Sequence, residues 1–288
     1  MSVSALTQLR PGSGHPGKAF YPFLIKHGDG MPRTGTERNV VPLPLRQKWE
    51  STKAPENDSG FRMFVAFDSA RRERAGRLAF RVYRNCGYVA DTPNGCLLSK
   101  FDAQPSTLVL LVQDAAGRDA ATVSLVFDSP AGLPSDEVRA ADLATLRAQG
   151  RRLVEAARLA IDPDYVGSKQ LLVQLFNAVF IHARHEGGTD FVIEVHPHHM
   201  NYYRRSLMFE PAGPERACPR ANGAPGVLMR LDLAAQAAEI SVVGGSHGQA
   251  RGPHGRTLYS HFWTLDREPQ LAALMRAQQQ LFTARMAA

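Results

Sequence analysis

The sequence predicts an α/β fold: one mixed, mostly antiparallel sheet flanked by helices, with an irregular N-terminal arm and a C-terminal helix. Three observations carry this. Residues 153–209 read as strand, tight turn, amphipathic helix, strand and second helix, a βαβ-like unit. Residues 99–127 hold a buried apolar run, the turn DAAG (114–117) and a second run, which make an antiparallel hairpin. On either side of the periodic region lie Gly/Pro-rich stretches, 1–58 and 241–257, with no sustained period.

In chain order, residues 1–58 are too polar and too rich in Gly and Pro for a core and read as an extended or disordered arm, with NVVPLPL (39–45) as a segment able to dock. FRMFVAF (61–67) alternates and is the first strand. A helix then runs from a cap at Ser69, with Asp68 before it, to about Asn85. On it Arg74, Arg77, Arg81 and Arg84 form a basic stripe, read either as a solvated face or as a dock for an acidic carrier or a carboxylate. The hairpin of 99–127 follows, then a polar helix over 135–150 that ends at Gly150.

VEAARLAI (154–161) is a short, mostly apolar run bounded by turn formers, hence a buried central strand. From Ser168, which can cap, Leu172, Leu175, Phe176, Val179 and Ala183 share one helical face, and Gly187 and Gly188 end the helix. FVIEV (191–195) is the next buried strand, closed by Pro197. Residues 210–225 read as a long surface loop, VLMRLDL (227–233) as the strand that closes the sheet, 241–257 as a linker. Leu271, Leu274, Met275, Leu281 and Phe282 form the apolar stripe of a last helix opened by Pro269, which packs back on the core.

Composition narrows the classes. With 288 residues and 44% hydrophobic content the chain can build a sizeable core. No apolar run approaches the ~20 residues that cross a bilayer, and the first residues lack a signal-type core, so the expected location is cytoplasmic. Three cysteines, Cys86, Cys96 and Cys218, with no CxxC pair suggest neither a disulfide framework nor a thiolate metal site. A net charge of +7 favours an acidic partner, which charge alone leaves as nucleic acid, anionic membrane or carrier protein. No nucleic-acid fold signature is present, and no nucleic-acid partner is expected.

EAARLAIDP (155–163), the Gly167-Ser168 turn and VxPxHxxYYxxxLxF (195–209) resemble the GNAT acyltransferase superfamily, and within it the long-chain N-acyl amino acid synthases, which are related to acyl-homoserine-lactone synthases. The resemblance spans roughly residues 60–233. It implies a sheet that splays apart at its middle strands, an acyl-pantetheine thioester in the split, a donor on acyl carrier protein and an amino-group acceptor. It also divides the chain into an arm (1–58), an acyltransferase domain (59–235) and a linker with a C-terminal helix (236–288). One departure is informative. The CoA-binding turn of that superfamily reads R/QxxGxG/A, whereas YVGSK (165–169) keeps a single glycine and lacks the leading Arg or Gln. Phosphopantetheine on a carrier has no pyrophosphate to cradle, so the departure favours the carrier-borne donor.

Acyl transfer to an amine needs a fixed thioester carbonyl, a donor for its developing oxyanion and a base for the ammonium proton. Glu155 is the expected base, because a carboxylate inside an apolar strand must be paired, bound to substrate or shifted in pKa. The ExxR spacing shared with the homoserine-lactone relatives points to Arg158 as its partner. Residues three apart share a face only if a bulge intervenes, which the GNAT resemblance implies.

The pantetheine arm is assigned to Leu159, Ala160, Ile161, Gly167, Ser168 and Lys169, the N–H of Leu159 or Ala160 serving the oxyanion and the start of the helix at 168 suiting a phosphate. By resemblance, Arg81 and Tyr88 frame the acceptor, Asp102 takes the place of the relatives' FD pair, and Tyr203 stands near the leaving thiol. Leu172 and Phe176 begin an apolar slot for the chain.

His196, His198 and His199, with His182 and His185, raise a zinc reading, which lacks a carboxylate or Cys partner. No metal and no cofactor is expected, the thioester being a substrate. The expected function is transfer of a long-chain fatty acyl group from acyl carrier protein to an amino acid by direct attack, with peripheral membrane contact left open by the lipid product. Its rivals are a CoA-dependent N-acetyltransferase and a non-catalytic module that binds an acidic partner.

Overall fold

In a computed structural model the chain is described over residues 60–104, 106–249 and 257–287. The N-terminal arm, part of the 241–257 segment and the side chains of Leu281 and Phe282 lie outside the described residues.

The backbone alternates as follows: β1 (Arg62–Val65), α1 (Ser69–Asn85), β2 (Leu108–Gln113), β3 (Asp119–Phe127), α2 (Asp136–Ala148), β4 (Leu153–Ile161), α3 (Lys169–His185), β5 (Asp190–Val195), α4 (Met200–Leu207), β6 (Glu210–Pro211), β7 (Arg216–Cys218), β8 (Ala224–Asp232), α5 (Leu233–Val243) and α6 (Glu268–Ala287). The sheet runs β1-β2-β3-β4-β5-β8-β6, with β7 paired to β8. β4 and β5 pair in parallel, because α3 carries the chain back across the sheet between them, and every other pairing is antiparallel.

Period-two alternation divides the strands between two faces. Leu108, Leu110 and Val112 of β2 join Val123 and Leu125 of β3 in the core under α3, while Val109 and Leu111 pack under α1 with Leu78 and Val82. Asp68 caps α1 through Arg71 N–H at 2.7 Å, so Ser69, the cap expected from sequence, is its first residue. α3 is buried from Leu171 to Ala183 on more than its sheet face, since α6 covers its back. Among the described residues no helix is long and apolar enough to cross a membrane.

Two segments depart from the sequence reading. The 210–225 stretch is not a plain surface loop: β6 and β7 both pair with β8, and Cys218 is buried. Residues after 232 form α5, whose Ile240 and Val243 share the main core with Leu258, Tyr259, Phe262 and Met275. The Tyr259 hydroxyl donates to the Leu207 carbonyl at 2.5 Å and ties this segment to the end of α4.

Candidate active site

β4 has neighbours on both sides only over Leu153–Glu155. Past Glu155 it keeps β3 and parts from β5, which continues on β8 alone. The split implied by the GNAT resemblance is therefore present, and it opens a cavity of about 420 Å³ that runs from the α3 face through the sheet to the α1 face. Ala156, Ala157, Arg158 and Leu159 line it along the edge of β4 that β5 has left. Buried backbone N–H and C=O groups need partners, so such an edge suits a ligand that carries amides.

The bulge is there as well. Thr122 faces Ala160 and Ser124 faces Ala157, so one residue of β3 is opposed by two of β4, and Arg158 takes a left-handed φ of 53°. The extra residue puts Glu155 and Arg158 on the same face. They do not pair, however, which corrects the partnership expected from their spacing. Arg158 forks onto Asp102, Nη1 donating to Oδ2 at 2.6 Å and Nη2 to Oδ1, and it reaches Ser124 Oγ at 2.7 Å and the Leu97 carbonyl at 3.0 Å. Asp102 is placed for this by its own short turn, where it accepts from Ser99 N–H at 2.7 Å. Asp102 thus orients Arg158 from behind the cavity wall.

Glu155 is 2% exposed and accepts from Ser135 twice, from N–H at 2.8 Å and from the hydroxyl at 2.7 Å. Ser135 stands at the start of α2 yet caps nothing, because its hydroxyl is spent on this carboxylate. Burial pushes Glu155 up to about 7, against the pull of Arg220 and the Ser135 bonds. A carboxylate has about four acceptor positions, so two such bonds leave it able to take a proton.

A second carboxylate sits on the neighbouring strand. Glu194 accepts from Arg139 Nε at 2.9 Å, from Arg220 Nη2 at 2.7 Å and from the Cys218 thiol at 3.1 Å. Arg139 is fully buried and also donates to the carbonyls of Pro214 and Gly226, both at 2.6 Å. Sequence reasoning missed Glu194, Arg139, Arg220 and Ser135. Glu194 carried the same signal as Glu155, a carboxylate inside the apolar strand FVIEV. Arg220 stands in a Pro/Gly segment and carried none.

The two ends of the cavity differ. On the α3 side Phe176, Val179, Phe180, Ile193 and Phe209 make an apolar arm closed by Tyr203, whose ring packs edge-on to Phe176 and Phe209. Burial raises the Tyr203 phenol far above its usual value. On the α1 side Tyr83, Tyr88 and Leu98 stand around the polar groups Glu155, Arg158 and Arg220. Of the expected site residues, Glu155, Arg158, Leu159, Tyr88 and Tyr203 line this one cavity. Ala160 and Ile161 bury their side chains in the two cores, while Leu172, expected to begin the slot, packs in the main core behind Phe176.

Gly167, Ser168 and Lys169 start α3, with Ser168 Oγ accepting from Leu171 N–H at 3.2 Å and Lys169 Nζ 2.6 Å from His261 Nε2. The walls first meet α3 at Leu175, about 9 Å further along its axis, and continue through Phe176, Val179 and Phe180. Arg81 is not on the walls; it pairs with Asp162 and stays 53% exposed. Its neighbours on the stripe bind carboxylates too, Arg74 to Asp119 and Arg77 to Glu73.

His196 and His199 also line the cavity. Burial, helped by the neighbouring imidazoles, pushes His199 down to about 4, so it is neutral near pH 7. Among the described residues no group of three or more His, Cys, Asp or Glu side chains is placed to hold a metal ion.

The sequence profile of the N-acyl amino acid synthase FeeM family matches residues 74–232, more than half of the chain. The fold is similar to the solved structure of FeeM, an N-acyl amino acid synthase from uncultured soil microbes, at 22% identity and TM-score 0.55, over 62% of this chain and 94% of that one. It is also similar to TofI (18% identity, TM-score 0.47, 60% of this chain and 92% of that one) and to the AHL synthase LasI (14%, 0.46, 60% and 90%). No curated protein matches the sequence.

Proposed function

The chain belongs to the N-acyl amino acid synthase FeeM family and is an acyltransferase, and from that premise we propose that it moves a long-chain fatty acyl group from acyl carrier protein to the amine of an amino acid. The observation that carries this is the cavity itself. A single passage joins an apolar arm to a polar end, with Glu155 at the point where β4 and β5 part.

The acyl chain occupies the arm of Phe176, Val179 and Phe180, and the pantetheine amides lie along the free edge of β4 beside Leu159, Ala160 and Ile161. Gly167, Ser168 and Lys169, at the start of α3, receive the phosphate. An acetyl group would leave the apolar arm empty, which disfavours the CoA-dependent acetyltransferase as the second reading. Arg81, half exposed and outside the walls, belongs on this reading to the landing surface of the acidic carrier rather than to the acceptor site.

In the reaction the amine lone pair attacks the thioester carbon, the C–S bond breaks and the nitrogen gives one proton to Glu155. A general base works best with a pKa near the working pH, and Glu155 at about 7 meets that where His199 at about 4 does not. The backbone N–H of Leu159 or Ala160, beside the bulge, takes the oxyanion. Tyr203 is too weak an acid to surrender its proton to a thiolate, so it donates a hydrogen bond to the leaving sulfur. Protonated Glu155 is the stronger acid and returns the proton, since a free thiol titrates near ~8.5.

Attack is direct. The Cys218 thiol, on the wall, is pushed up to about 11 by burial and by Glu194, so it is no nucleophile at neutral pH.

Purified protein incubated with a long-chain acyl carrier protein and single amino acids is expected to release N-acyl amino acid, read by mass spectrometry. Turnover of acetyl-CoA with none of the long-chain carrier would reject the reading.

A further inference from the structure

Three guanidiniums surround the polar end of the cavity, and their donors decide which can meet a substrate. Arg158 spends both terminal nitrogens on Asp102, Ser124 and the Leu97 carbonyl. Arg139 is fully buried and spends Nε, Nη1 and Nη2 on Glu194, Pro214 and Gly226. Arg220 is different. Its Nη2 bonds Glu194 at 2.7 Å, but Nη1 stands 3.7 Å from Glu155 and Nε 3.6 Å from Glu137, both beyond hydrogen-bonding distance. Its side chain is 33% exposed, lines the cavity and lies in the short turn Pro219–Ala221 that joins β7 to β8 across the polar end. One edge of a rigid fork is thus presented to the cavity beside the base.

We infer that Arg220 holds the carboxylate of the acceptor and so selects amino acids over amines that lack one. This rests on the reading of the acceptor as an amino acid. One carbon separates the α-amine from the α-carboxylate, so a carboxylate on the Nε–Nη1 edge of Arg220 brings the amine to Glu155, the residue that Nη1 already approaches. Glu137, on the rim and 49% exposed, is displaced into solvent when the acceptor enters. Charge balance agrees: Asp102 matches Arg158 and Glu194 matches Arg139, which leaves Arg220 facing Glu155, a carboxylate that becomes neutral once it has taken the amine's proton.

The test compares kcat/KM for an accepted amino acid and for its carboxamide, with acyl carrier protein as donor, at pH 9 so that Glu155 is ionised in every variant. The wild type is expected to prefer the amino acid by roughly tenfold or more. Arg220→Ala should raise KM for the amino acid at least about tenfold while KM for the carboxamide moves less than about threefold, bringing the two substrates level. Arg220→Lys keeps the charge without the fork and should fall between them. Parallel losses on both substrates in the two variants, or no loss on either, would overturn the assignment. If the wild type acylates no amino acid at all, it is the proposed function that fails.

Discussion

The two ends of the cavity are built from the same pair of strands and obey opposite rules. On the α3 side the walls are rings and aliphatic side chains held by mutual packing, such as Phe180 against Phe191 at 4.8 Å. On the proposed reading, chain length there is read by volume alone. On the α1 side the walls also carry charged groups, and these are tied to partners, with Glu155 on Ser135, Glu194 on Arg139 and Arg158 on Asp102. Of the three guanidiniums at this end, Arg220 keeps an edge towards the cavity. On the proposed reading, one break in a sheet separates two jobs: apolar surface sorts the donor, and a nearly saturated ionic network leaves a few groups for the acceptor and the chemistry.

Replacing Glu155 by Gln should do the largest damage to that division, since it removes the proposed base and leaves the apolar arm intact. We expect kcat to fall by roughly 10²–10⁴ with KM for the acyl donor little changed. The rise of rate with pH through about 7, set by Glu155 in the wild type, should vanish in the variant. A larger change in donor KM than in kcat would show that the two ends are not separable.

Next comes the ionic frame. Arg158→Ala strands Asp102, which is itself buried, and should cost about 3–5 kcal/mol in a denaturant melt. The pH dependence of stability is smaller. Because the Glu155 pKa is raised in the folded chain, its contribution is fully present below the unfolded value of 4.5 and is lost as pH rises through about 7. Wild type should therefore lose roughly 2–3 kcal/mol relative to Glu155→Gln between pH 4 and pH 8, a difference read from paired melts.

On the apolar side, Val179→Phe adds bulk to the arm. It should shift the preferred donor to shorter chains at about 1–3 kcal/mol of stability, while amino-acid KM stays put. Smallest of all, Arg81→Glu reverses a surface charge. We expect stability within about 1 kcal/mol of wild type and a KM for acyl carrier protein raised several-fold, with acceptor KM unaffected.

Apart from β6 and β7, strand and helix order from Phe61 to Leu233 was legible because local patterns encode it: period two in LVLLVQ, a helical face from Leu172 to Ala183, Gly187 and Gly188 as a stop. The burial of Glu155 was legible too, since a charge inside an apolar strand needs an explanation wherever that strand goes. Its partner was not. The residue that binds it, Ser135, is 20 positions away, and Arg158 found Asp102, 56 positions away, because the bulge at Arg158 turns its side chain towards the short turn at 99–103. Arg220 gave no local signal, as a Pro/Gly segment reads as surface until β7 and β8 pair and lay it over the cavity.

Residues 233–262 hid for a similar reason. Tyr259 and Phe262 have no period of their own and are buried by α3, α4 and α5. Sequence by itself determined the long strands and helices from Phe61 to Phe209 and that Glu155 had to be special, because those follow from spacing along the chain. Only the tertiary structure decided who pairs with whom at the split, because ion pairs between distant strands and loops depend on where the sheet opens, and no spacing along the chain records that.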